Sequence, residues 1–301
     1  MAATPHWTYV TDGGLETDLI FNHGAELPEF AAYPLLWTDE GRALLRHYYA
    51  AYADIAAAAG AGLLIETPTY RASTDWGRLL GHDPETLMEV NRHAVAFCRD
   101  LADGWRDRVT DVKVVGLIGQ RGDGYAPGRG VHPDEAQDYH APQVRAFAEA
   151  GADQVGVYTL TDPGEAIGVV RAADSYGVPV TVSFTVETDG KLPDGTTLRD
   201  AMEKVDSVAP PAYFLINCAH PQHVLPALSQ GGSWLDRIKG IQCNASTASH
   251  AELDEAEELD AGDLAVLIPA HRAVEKLLPS LEVVGGCCGT DSRHVAELWG
   301  V

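Results

Sequence analysis

Cys218, Cys287 and Cys288 are the residues of this 301-residue chain whose type and placement best suit chemistry. The chain carries five cysteines, an odd number, and two of these three stand side by side. Neighbouring cysteines rarely join each other in a disulfide, so metal binding or thiol chemistry is the reading to develop. Three thiolates around a tetrahedral zinc leave one position open, as in a catalytic rather than a structural site. A thiol entering that position loses its proton, and the thiolate is the nucleophile. Zinc fingers space their ligands by about two to four residues. An adjacent pair needs a backbone that turns sharply, which Gly285, Gly286 and Gly289 around Cys287-Cys288 allow. Composition alone leaves a second reading open, three buried cysteines without metal.

Residues so far apart in sequence meet only if regular elements carry them to one place. Short apolar, β-branched runs alternate with longer amphipathic segments along the whole chain. Eight strands are predicted, in WTYVTDGG, GLLIETPTY, VKVVGLIG, ADQVGVYTL, VPVTVSFTV, AYFLINCAH, IKGIQCNAS and LEVVGGCCG. Between them lie helical stretches such as TDEGRALLRHYYAAYADIAAAAG, with apolar spacing near three and four and a closing glycine. This alternation implies βαβ units and a parallel sheet. Eight units predict an α/β fold of the closed (β/α)₈ TIM-barrel type, a single domain over 1–301. VTDGGLET lacks the third glycine of a dinucleotide fingerprint, which counts against an open nucleotide-binding sheet.

In such a barrel the functional side chains sit at the C-terminal ends of the strands. That criterion selects Asp12 (with Glu16 just beyond), Glu66, Tyr158, Asn217 beside Cys218, Asn244, and the Cys287-Cys288 pair. Strand alternation turns Cys243 toward the outer helices, and Cys98 lies on an apolar helical face; both read as core. His220, His223 and His294 follow the candidate ligands and read as caps or supports rather than ligands. Segments 71–110 and 120–135 are predicted to decorate the barrel mouth, and the Gly-rich run at 116–125 reads as a mouth loop without phosphate-loop spacing. The acidic run at 249–263 is predicted to be a solvated helix and loop, with a loop that covers the site or contacts a neighbouring subunit as the alternative.

Composition narrows the partners. A formal net charge of −23 argues against nucleic acid, which needs clustered Lys and Arg. With 46% hydrophobic residues the chain can bury a large core. Its longest apolar stretches are too short to span a bilayer, and its start lacks a basic, apolar leader. A cytoplasmic enzyme with small-molecule partners and no membrane contact is expected, as a monomer or homo-oligomer.

The motifs themselves resemble a known family. GGCCGT at 285–290 followed by Arg293-His294-Val295, INCAHPQHV at 216–224, TDGGLET at 11–17 and DGTTLRDAM at 194–202 are together similar to the homocysteine S-methyltransferases, from the first strand to the last. The resemblance implies a (β/α)₈ barrel in which Cys218, Cys287 and Cys288 bind Zn²⁺. It also implies that the metal presents homocysteine's thiolate to a methyl donor. Folate-, cobalamin- and betaine-dependent relatives carry further domains or extensions, whereas this chain ends soon after Cys288. A sulfonium donor, S-methylmethionine or S-adenosylmethionine, is therefore expected, which loses its methyl readily once thiolate, carbon and leaving sulfur are in line. One departure stands out. After the fourth strand the family usually has Glu-Thr, the carboxylate helping to bind the acceptor's amino group, and here the pair is Tyr158-Thr159. Tyrosine carries no fixed negative charge at neutral pH. Glu66, at the end of the second strand, is expected either to replace that carboxylate or to mark a different thiol acceptor, against a plain reading as an ion-paired residue at the barrel rim. Asp12 is expected to contact the acceptor's amino group, against a turn-capping role, and Asn244 to contribute to donor or acceptor binding. The alternatives are another small thiol or selenol acceptor, a betaine-type donor, a non-catalytic metal or thiol sensor, and a zinc hydrolase, against which three thiolates count.

Overall fold

All eight expected strands form, in the expected order. A computed structural model describes residues 7–123 and 130–301. The strands are β1 (Tyr9–Val10), β2 (Gly62–Glu66), β3 (Val112–Gly119), β4 (Gln154–Leu160), β5 (Val180–Phe184), β6 (Tyr213–Asn217), β7 (Ile238–Cys243) and β8 (Val283–Gly286). Each pairs in parallel with its sequence neighbours, and β8 returns to β1, so the sheet closes into a barrel. The sequence forces this arrangement. Runs such as GLLIE are buried over their full length, as parallel strands covered on both faces must be.

Alternation sorts the side chains. Leu63 and Ile65 of β2 join the large core between sheet and helices, while Leu64 packs with Val115, Leu117, Tyr158, Leu215 and Val283 in a separate cluster inside the barrel. Cys243 and Cys98 are fully buried in the outer core, as expected. The helices begin and end on local signals. Thr38 Oγ1 caps helix Asp39–Ala59 by accepting from Gly41 N–H at 3.0 Å. Asp162 caps helix Pro163–Tyr176 in the same way.

One expectation changes. Most of segment 71–110 is the regular outer helix Pro84–Trp105, so its decoration of the mouth is limited to a short helix, Thr74–Leu79, and its flanks. Of segments 116–125 and 120–135, residues 124–129 lie outside the described residues. Among the described residues, no helix is long and apolar enough to cross a membrane.

Candidate metal and substrate site

The three cysteines converge at the C-terminal end of the barrel. Cys218 follows β6, and Cys287 and Cys288 follow β8. Their sulfurs lie within 4.8 Å of one another, with Cys218 Sγ and Cys288 Sγ 3.7 Å apart. A tetrahedral zinc with Zn–S bonds of about 2.3 Å holds its sulfurs about 3.8 Å apart, so the triad fits that ion with little adjustment. The donor set itself, all thiol and no carboxylate or imidazole, selects a soft or borderline cation.

Local backbone chemistry aims these sulfurs. Thr290 N–H closes a turn on Cys287 O at 3.0 Å, and Gly289 at its third position takes φ +79°, the left-handed geometry a type II turn requires there. A Cβ on Gly286 would collide with Thr290 Oγ1, so the strand end has room only for glycine. Cys218 itself adopts φ +56°, a strained conformation for a residue with a side chain. Its carbonyl accepts from Asn244 Nδ2 at 3.1 Å, Thr185 Oγ1 at 3.2 Å and His250 Nε2 at 2.7 Å, three contacts that hold the peptide in place. Asn217 ties the neighbouring strands together. Its Oδ1 accepts from Thr159 N–H and Ser183 Oγ, while Nδ2 donates to Thr159 Oγ1 at 2.9 Å and approaches Cys287 Sγ at 3.7 Å. Thr159 shares the unusual backbone, at φ +61°, where the β4–β5 register shifts.

The cysteines open onto a cavity of about 430 Å³ that Asp12, Glu66, Tyr158 and Asn217 also line. Tyr158 and Glu66 form one unit. Tyr158 Oη donates to Glu66 Oε1 at 2.6 Å, and Gln242 Nε2 donates to the same oxygen at 2.7 Å. The tyrosine ring fills the barrel interior, and its hydroxyl supports a carboxyl group that belongs to β2. Burial pushes the Glu66 carboxyl up to about 7, an effect these two hydrogen bonds partly oppose. Burial also raises Asp12 well above the usual carboxylate range, with the Glu66 and Glu16 charges adding to the effect. Glu16, half-buried beside them, is likewise pushed up to about 7 by desolvation.

Two sequence expectations are refined. Asn244 is not among the cavity-lining residues. It follows the last residue of β7; its Nδ2 donates to the Cys218 carbonyl, while its Oδ1 is buried with no hydrogen-bond partner among the described residues. The acidic segment 249–263 is more than a solvated surface. Leu253, Ala256, Glu258 and Leu259 line the cavity, and His250 anchors the short helix His250–Asp254 to Cys218. His220 and His294 cap helices, as expected, while His223 Nε2 lies 3.1 Å from the carbonyl of Thr247. Arg71 and Gln242, both lining the cavity, were not singled out from the sequence. For Gln242 the signal was available: alternation that turns Cys243 outward turns Gln242 inward.

A closed (β/α)₈ barrel with three thiols that could hold a metal ion at the C-terminal end of its sheet defines the class of fold and site. Comparison narrows the class: a family model for homocysteine S-methyltransferase matches residues 9–300, and the chain belongs to that family. It is similar to homocysteine S-methyltransferase YbgG of Bacillus subtilis, 25% identical over 186 residues that cover 59% of this chain and 55%, about half, of that protein. Homocysteine S-methyltransferase 1 of Arabidopsis thaliana is 25% identical over 71% of this chain and 69% of its own. Selenocysteine Se-methyltransferase of Brassica oleracea is 23% identical, over 71% and 66%. In fold the chain resembles the metallated form of the Escherichia coli homocysteine methyltransferase MmuM, with a TM-score of 0.75 at 20% identity over 97% of this chain and 96% of the other.

Proposed function

We propose that this protein is a zinc-dependent S-methyltransferase that moves a methyl group from a sulfonium donor to the thiol of homocysteine. The observation that carries this reading is the convergence of Cys218, Cys287 and Cys288 on one point at the barrel mouth. Zinc, when bound there, lowers the pKa of a thiol at its open position so that a thiolate is available near neutral pH. The chain's own residues do the rest. Asn217 and the Cys218 carbonyl contacts hold the sulfurs in place, so little reorganisation accompanies binding. Glu66, presented by Tyr158 and Gln242, receives the acceptor's ammonium, with Asp12 and Glu16 beside it. The acceptor thiol releases its proton, and its lone pair forms the new S–CH₃ bond as the donor's C–S⁺ bond breaks. The departing sulfur keeps that pair and leaves as a neutral thioether. An acidic cavity suits both the ammonium and the sulfonium, because each cation gains where carboxylates face a low-dielectric wall. Reduced thiols at the centre of the site fit a cytoplasmic location.

A second reading keeps the chemistry and changes the acceptor. The Tyr158 departure favours it, since the usual carboxylate is displaced to β2 and with it the position of an acceptor's ammonium. Both readings are tested by one assay on the zinc-loaded protein. Homocysteine, selenohomocysteine and simple thiols are crossed with S-methylmethionine, S-adenosylmethionine and glycine betaine, and methylated products are identified by mass. The expected product is methionine from a sulfonium donor. Methylation of a thiol without a free α-amino group, and not of homocysteine, selects the second reading. No methyl transfer in any pairing overturns both.

A further inference from the structure

Arg71 lies in the loop after β2 and is buried, 8% exposed, yet its charge is scarcely matched. Its guanidinium stacks on the Trp76 ring, 3.5 Å from the centroid, and Nη2 reaches Asp123 Oδ2 only at 3.4 Å. Nε and Nη1 are buried with no hydrogen-bond partner among the described residues. A buried guanidinium with two idle N–H groups is a costly state that a planar acceptor would relieve. Its surroundings sharpen the point. The cavity is lined by acidic side chains, including Asp12, Glu16, Glu66, Glu258 and Asp260, and among the described residues Arg71 is its only cationic lining side chain. A ligand carrying both an ammonium and a carboxylate has many places for the first group and one for the second.

We propose that the Arg71 guanidinium is the carboxylate-binding subsite of this cavity, taking the α-carboxylate of an amino-acid ligand through its free N–H groups. The inference rests on the reading of the cavity as an amino-acid thiol methylation site and extends it, making Arg71 the residue that distinguishes amino acids from amines. Trp76 holds the guanidinium plane in place, and a rigid fork matches a carboxylate better than a lysine would. Glu66, Asp12 and Glu16 then bind the opposite end of the same zwitterion.

The test measures binding to the zinc-loaded protein by calorimetry, so it does not depend on turnover. Homocysteine is compared with aminopropanethiol, its decarboxylated counterpart, and S-methylmethionine with aminopropyldimethylsulfonium. Mercaptobutanoate is compared with propanethiol as a pair lacking the ammonium. Wild type should prefer the carboxylate-bearing member by about ten- to a hundredfold, the range for a hydrogen bond to a charged group. Arg71→Met should abolish that preference while leaving affinity for the decarboxylated member within about twofold, and Arg71→Lys should keep part of it. The thiol pairs and the sulfonium pair tell whether the acceptor or the donor places its carboxylate there. Thermal melts confirm that each variant folds, and Arg71→Gln serves if Arg71→Met does not. Equal affinities within every pair in wild type, or a preference that survives loss of the arginine, overturns the proposal. A carboxylate preference that depends on Arg71 without methylation of homocysteine leaves the subsite standing and removes the function.

Discussion

Glu66→Gln is the change from which most can be learned, because it removes one charge and keeps the shape. Glutamine at this position still accepts from Tyr158 Oη and Gln242 Nε2 through its Oε1, so the packing around β2 and β4 survives. What disappears is a carboxyl group whose pKa rises from 4.5 in the unfolded chain to about 7 in the folded one. Between those values the native protein holds a proton that the unfolded chain has released. Wild-type stability therefore falls as pH rises through that window and levels off above about 7. At about 1.4 kcal/mol per unit, the loss assignable to Glu66 is about 3 kcal/mol. Urea unfolding of wild type and variant, side by side from pH 4.5 to 8, isolates it. Asp12 and Glu16 titrate in both proteins and largely cancel in the difference, although Asp12 moves somewhat because Glu66 raises it. The variant should gain on wild type by about 3 kcal/mol across the window, with the gain concentrated between pH 5 and 7. A difference that stays flat with pH would show that the Glu66 carboxyl is not perturbed by burial, and the electrostatic account of the site would fall. The same variant reads the ligand side. Loss of the ammonium partner should raise the KM for homocysteine by about ten- to a hundredfold, with kcat falling less, because the ammonium is bound alike in ground and transition states.

Two further outcomes follow from the cysteine geometry. Zinc should bind at about one ion per chain, and Ser at Cys218, Cys287 or Cys288 should weaken it sharply while circular dichroism stays that of a folded barrel; full occupancy in the triple Ser variant would sink the assignment. Asn217→Ala should lower zinc affinity by about ten- to a hundredfold, measured by chelator competition, because it frees Cys287 and the Thr159 backbone from their shared tie; unchanged affinity would leave Asn217 with no positioning role.

The barrel and its thiols were legible in the sequence because their signals are local. Each strand is a short apolar run bounded by helical periodicity, and the end of a strand marks where functional side chains stand. Adjacent cysteines flanked by glycines announce themselves. The sequence also marked Tyr158 as a departure and Glu66 as a candidate replacement carboxylate, but it could not show that a hydrogen bond joins them. That contact spans 92 positions and depends on which way two strands face inside a closed barrel. Arg71 was missed for a related reason. An arginine in a loop is ordinary until a cavity reveals that two of its nitrogens lack partners among the described residues, which no spacing records. The acidic segment is largely exposed, as its composition predicts, but it also borders the cavity. Leu253, Ala256 and Leu259, set among the carboxylates, were the apolar hint that one face of it covers something.

The distribution of charge in the mouth gives these parts a common logic. Burial raises the pKa of Asp12, Glu16 and Glu66, the Glu66 charge adds to the effect on the other two, and the fold carries the destabilisation of holding them there. Nothing in packing alone requires three carboxyl groups at one barrel end; glutamines would keep the hydrogen bonds without the repulsion. Their presence makes sense if the missing charge arrives with the ligand. A bound ammonium or sulfonium lowers all three pKa values together, so ligand binding and carboxyl ionisation are linked, and each carboxylate strengthens capture of the cation that stabilises its neighbours. Arg71 supplies the complementary limit. If Arg71 takes a carboxylate, as proposed above, the ammonium of the same zwitterion is left to the acidic side of the cavity. On the proposed reading the acceptor's ammonium is held by Glu66 on β2, the carboxyl group to which the Tyr158 hydroxyl on β4 donates.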